Sequence, residues 1–141
     1  MGENSIRHGL VVRAFKLSED YVMMESWWNA HGSFPPKTEH LPSTGIVIEA
    51  GSKPVCAGFL YRTDSKICVF EFVVSDPLAN KQIRDSALTQ LIRSAKEWAK
   101  NESFSLIYTS VNLAKYINRL KEEGFIQADN NMVHLFYEVK K

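Results

Sequence analysis

The chain has 141 residues, 45% of them hydrophobic, and a formal net charge of +1. That is ample apolar surface for one core without disulfide or metal staples, and too little charge to draw the molecule to nucleic acid or an anionic membrane. No apolar run reaches the roughly 18–20 residues that a membrane helix needs. The N-terminus carries no apolar signal segment, and Ile6 breaks the myristoylation pattern. Cys56 and Cys68 lie in apolar, strand-like runs that suit buried thiols rather than a disulfide or metal pair. The expectation is one domain over residues 1–141, cytoplasmic, with no nucleic acid, membrane or metal partner. Asn101-Glu102-Ser103 is then a chance glycosylation match.

Leu10 to Phe15 reads as a short strand. Ser18 is placed to cap a helix with Glu19 and Asp20 in its first turn. That helix carries Tyr21, Val22, Met24, Trp27 and Trp28 and ends near His31-Gly32. Adjacent tryptophans are expected to diverge, one packing inward and one lining a groove, so Trp27 and Trp28 are candidate substrate-binding residues; plain core packing is the alternative. His31 and His40 flank the proline loop that follows and could line an acceptor pocket, with His31 the candidate substrate-binding residue; exposed loop residues are the alternative. Ser33 to Gly45 holds three prolines and no periodicity, a long loop of the kind that often serves function. Ile46–Ala50 and Pro54–Arg62 follow as strands, with a third over Ile67–Val74, making an antiparallel meander.

The strand Ile67–Val74 is almost continuously apolar, as suits a strand covered on both faces. Its one carboxylate is Glu71, which shares a face with Ile67, Val69 and Val73 if the strand alternates regularly. Pro77 marks a break. Ile83, Ala87, Leu88, Leu91, Ile92, Ala95, Trp98 and Ala99 then form one stripe of a helix that ends near Lys100. Phe104–Val111 is strand-like and, reached through a helix, should lie parallel to the strand before that helix. Asn112 is a plausible cap for a second helix bearing Leu113, Tyr116, Ile117 and Leu120, and Gly124 supplies its left-handed stop. The tail FIQADNNMVHLFYEV reads as two strands turning at Asn130-Asn131.

The order β-α-βββ-α-β-α-ββ, read as an α+β domain with one parallel strand pair, resembles the GNAT-type N-acetyltransferase superfamily over essentially the whole chain. The stretches that carry the likeness are FVVSDP with NKQIRDSALTQLIRSAKEWA, and NLAKYINRLKEEGF. The resemblance implies a mixed, mostly antiparallel sheet of six or seven strands, one splayed parallel pair, and helices on both faces. It implies transfer of an acetyl group from acetyl-CoA to an amine by direct attack, with the acceptor on a small molecule or on a protein or peptide. A non-catalytic GNAT-like binding protein is the alternative, and a homodimer is left open.

In that family the turn before the long helix grips the CoA pyrophosphate with backbone amides, usually among glycines. Here the matching positions are Asn80, Lys81, Gln82, Ile83 and Arg84, with Asp85 where the last small residue would stand. Lys81 and Arg84 could supply phosphate charge; a merely capped helix start is the other reading. Val73 and Val74 would hold the pantetheine, with Asn112 beside it. Burial raises a carboxyl toward the range of a general base, so Glu71 is the candidate base; an ion pair with Arg62 or Arg13 is the rival reading. Relatives carry a Tyr general acid where this chain has Leu120; Tyr116, one turn earlier, is the candidate acid, or simply a packed side chain. The four histidines fit no metal spacing. Lys96, Lys100, Lys115, Arg119 and Lys121, interleaved with Glu97, Glu122 and Glu123, read as a solvated face.

Overall fold

A computed structural model describes residues 5–7 and 9–140, and the side chains from residue 9 onward. His8 lies outside the described residues. The strands hydrogen-bond in chain order. They form five strands, β2 (Leu10–Ala14), β3 (Thr44–Ala50), β4 (Lys53–Tyr61), β5 (Ile67–Ser75) and β6 (Leu106–Tyr108), with the three-residue β1 (Ser5–Arg7) added at the edge. Neighbours are antiparallel except β5 and β6, which run parallel as the helical connection between them requires. Three helices complete this α+β arrangement: α1 (Leu17–Ala30), α2 (Lys81–Asn101) and α3 (Ala114–Glu122).

The helices cover both faces of the sheet. Leu91, Ile92, Ala95 and Trp98 of α2, with Tyr116 and Leu120 of α3, pack on Val12, Ile46, Ile48, Cys56, Cys68 and Phe70. On the other face Met24, Trp27 and Trp28 of α1 pack on Val47, Ala57, Phe59 and Val74. The two tryptophans therefore do not diverge. They sit about 100° apart around the helix, and the sheet is broad enough to take both, with Trp28 tilted against Phe59. Neither ring is left to wall a groove.

Both caps read from the sequence differ in the structure. The α1 N-cap is Lys16, not Ser18, because the Asp20 carboxylate accepts the Lys16 amide at 2.8 Å. Arg13 holds Asp20 there through two bonds, and its Nε also grips Glu49. The α3 N-cap is Leu113; Asn112 makes no cap bond and is exposed. The C-terminal hairpin is likewise not formed. Residues 125–140 carry no strand, and Ile126, Leu135, Phe136, Tyr137 and Val139 are exposed. Alternation alone does not make a strand without a ladder partner, and none of the described strands pairs with this tail.

The register of β5 is where the fold prepares a site. Ala57 faces Val74 and Phe59 faces Glu71, so Gly58 opposes two residues, Phe72 and Val73. This is a β-bulge, and Phe72 takes the left-handed conformation at φ 57°. The extra residue resets the alternation. Glu71 stays on the α1 face with Val69, whereas Val73 turns to the α2 face and packs in that core. The expectation that Glu71 and Val73 share a face is corrected by the bulge.

Candidate active site

The parallel ladder is short. It pairs Ile67 with Leu106, Cys68 with Ile107 and Val69 with Tyr108, then stops while β5 runs on to Ser75. Beyond that point the two chains are tied by side chains instead. Thr109 Oγ1 donates to the Phe70 carbonyl at 2.5 Å, and the Ser110 amide donates to Glu71 Oε1 at 3.0 Å. The result is a fork between β5 and the segment after β6, with a carboxylate at its crotch.

Glu71 is half-buried, and that burial pushes its carboxyl above the ordinary 4.5, with the Ser110 amide and the nearby His134 working against the rise. The cations that could have neutralised it are used elsewhere. Arg62 pairs with Glu102 and lies over the Trp98 ring, and Arg13 pairs with Asp20 and Glu49. Held by an amide, with neither arginine as its partner, the carboxylate is able to take up a proton.

Tyr116 of α3 reaches the same region from below the sheet. It is 8% exposed, and its hydroxyl is buried with no hydrogen-bond partner among the described residues. Burial, then the charges of Cys56 and Glu71, push the phenol upward, so it holds its proton at any physiological pH. Glu71 and Tyr116 influence one another electrostatically from opposite faces of the sheet.

The helix N-terminus behaves differently from a free anion nest. Asn80 is the N-cap of α2, and its side-chain oxygen accepts from the Gln82 amide at 2.9 Å and the Ile83 amide at 3.3 Å. Lys81 and Gln82 are exposed, Arg84 is half-buried, and Ile83 has left the core stripe to lie 43% exposed. Asp85 turns away from the cap. Its carboxylate meets Arg119 at 3.0 Å and Lys81 at 3.4 Å. Arg119 also donates to the Asp85 carbonyl and to Thr89 Oγ1, both at 3.0 Å, clamping α3 onto α2. The clamp lines a pocket of about 320 Å³ together with Ser86, Gln90 and Arg93.

The remaining candidates fall around the fork unevenly. Val73 packs in the α2-side core and Val74 is buried against α1, so only their backbone can face a ligand. Asn112 is on the surface beyond the fork. His31, at the α1 C-cap, places Nε2 2.8 Å from the Ser75 carbonyl at the end of β5. Among the described residues no group of three or more His, Cys, Asp or Glu side chains gathers as for a metal.

Reading the sequence missed Ser110, which acts through its amide, and Arg119, taken for part of a solvated face. It is a partly buried tether instead, and Glu123 from that same face pairs with Arg93 and Lys96. A backbone donor leaves no mark in the residue types. The Asp85–Arg119 pair spans 34 positions and has no local signal either.

No protein-family model matches the chain, and no curated protein matches its sequence. Solved structures do match. The ribosomal-protein-S18-alanine N-acetyltransferase of Escherichia coli is similar with a TM-score of 0.68 and 12% identity, over 85% of this chain and 79% of that one. An aminoglycoside acetyltransferase from an uncultured soil metagenomic sample matches with a TM-score of 0.64 and 14% identity, over 96% of this chain and 100% of that one. A Trypanosoma brucei acetyltransferase matches with a TM-score of 0.63 and 14% identity, over 90% and 99%. The chain has the GNAT-type N-acetyltransferase fold.

Proposed function

We propose that the chain is an acyltransferase that moves an acetyl group from acetyl-CoA to an amine, on a small molecule or on a protein or peptide. The observation that carries this reading is the half-buried Glu71 carboxylate, held at the fork of the parallel pair by the Ser110 amide. An ammonium must lose a proton before its nitrogen can attack a thioester, and Glu71 takes that proton. The buried Tyr116 hydroxyl, protonated and unpartnered, supplies a proton to the departing thiolate. Acetyl-CoA contributes the activated acyl group; the chain contributes the fork, a base and an acid.

The phosphate grip fits if Asn80 yields. A side-chain cap is worth about 1 kcal/mol, whereas a hydrogen bond to a charged group is worth about 1.5–3 kcal/mol. A pyrophosphate therefore displaces the Asn80 carbonyl from the Gln82 and Ile83 amides, with the exposed Lys81 and the half-buried Arg84 to meet its charge.

A second reading is favoured by the same cap: a non-catalytic protein that keeps the fold and binds a partner. Thermal shift separates the two. Acetyl-CoA at a hundred times its dissociation constant should add about 2.7 kcal/mol of stability. No shift at millimolar acetyl-CoA refutes the transferase reading and leaves the binding protein.

A further inference from the structure

This inference rests on the acyltransferase reading and names the acceptor. On the α1 face of the sheet the registers Tyr61–Val69 and Val69–Tyr108 put two tyrosines in one row, one residue pair away from Glu71. The bulge pushes Phe72 out on the same side, where its ring lies 6.2 Å from that of Tyr61. Tyr61 is fixed from behind, donating its hydroxyl to the His40 carbonyl at 2.7 Å. Phe72 and Tyr108 remain 38% and 52% exposed. Three aromatic rings thus flank one carboxylate at the margin of the α1-side core, against which Tyr61 packs.

The charge pattern selects among amines. Glu102, Glu138 and Glu49 are each paired with a cation of the chain itself, whereas the Glu71 carboxylate beside these rings is held by the Ser110 amide, with His134 nearby. We propose that the acceptor is a primary monoamine on an aromatic or aliphatic body, its ammonium on Glu71 and its apolar part against Tyr61, Phe72 and Tyr108. A polycation would find one partner for several charges, and an acidic acceptor would be repelled. Aromatic faces hold both an apolar body and the cation beside it.

The test compares phenethylamine, ethanolamine and kanamycin as acceptors with acetyl-CoA, and follows phenethylamine binding by saturation-transfer NMR without acetyl-CoA. Phenethylamine should exceed ethanolamine in kcat/KM by about thirty-fold, from burial of its ring. Tyr108→Ser, on an exposed edge position, should raise KM for phenethylamine about five-fold. Kanamycin turned over better than phenethylamine, or an unchanged KM in Tyr108→Ser, overturns the proposal. If acetyl-CoA gives no thermal shift, the transferase reading falls. The NMR arm then still decides the acceptor: saturation transfer to phenethylamine that weakens in Tyr108→Ser upholds the site, and none at all overturns it.

Discussion

Asn80→Gly isolates the helix N-terminus from everything else in the site. The side chain it removes occupies two amides, of Gln82 at 2.9 Å and Ile83 at 3.3 Å, and touches no part of the fork. Glycine tolerates the N-cap position, so folding stability should fall by only a few tenths of a kcal/mol. Acetyl-CoA no longer has to displace a cap worth about 1 kcal/mol, and its dissociation constant should drop about five-fold. Calorimetric titration reads this directly. In a thermal melt at fixed saturating ligand, the variant should gain about 1 kcal/mol more than the wild type, roughly 3 °C for a domain of this size. Asn80→Asp is the matched opposite: it keeps the cap and suits the helix dipole, yet sets a negative charge where the phosphate must sit. It should be as stable as the wild type and bind acetyl-CoA more weakly. Equal dissociation constants in all three proteins would refute the reasoning, because no phosphate could then be using those amides.

The other expectations concern the fork and the bulge. Glu71→Gln should cut turnover at neutral pH by about a hundred-fold or more and lose less at alkaline pH, in steady-state rates across pH. Because burial raises this carboxyl above 4.5, the stability tied to its proton is complete below 4.5 and is lost as pH rises through the raised value. Glu71→Gln removes that loss, so its Tm relative to the wild type should be higher at pH 7 than at pH 4. Tyr116→Phe deletes a buried, unpartnered hydroxyl, and urea unfolding should give a gain of about 1 kcal/mol while turnover falls. Gly58→Ala would bring a Cβ to 2.7 Å from Phe70 Cε1 and 3.1 Å from Val73 Cγ2, and should cost about 1–3 kcal/mol by the same assay.

What the sequence made legible was whatever is written in short periods. The α2 stripe from Ala87 to Ala99, the meander over β3 to β5 and the left-handed Gly124 after α3 follow from spacing and residue type. So does Glu71, since a carboxylate in an apolar strand must have a reason. Features decided across the chain were not legible. Ser18 lost the α1 cap because Arg13, on a strand, fixes Asp20 in a position to take the Lys16 amide. Ile83 fits the stripe, yet in the first turn of α2 it faces solvent. The bulge has no signature either, since Phe72 is not a residue that announces a left-handed conformation.

That bulge links the local strain to the chemistry. A non-glycine residue held in the left-handed region costs on the order of 1–3 kcal/mol, and such a cost persists only where the surroundings impose it. Here they do. Gly58 offers no Cβ, so the Phe70 ring and Val73 can close over it, and two residues of β5 are forced to share one place on β4. A regular β5 would carry Val73 onto the face of Glu71 and cover the carboxylate with an isopropyl group. The bulge sends Val73 into the opposite core and leaves Glu71 as the last ordered step before the strands part, free to reach the Ser110 amide. The same kink lifts Phe72 toward Tyr61, so the base and the wall beside it come from a single backbone irregularity. Losing the bulge would shift both at once, which is why the strain belongs to the site and not merely to the sheet.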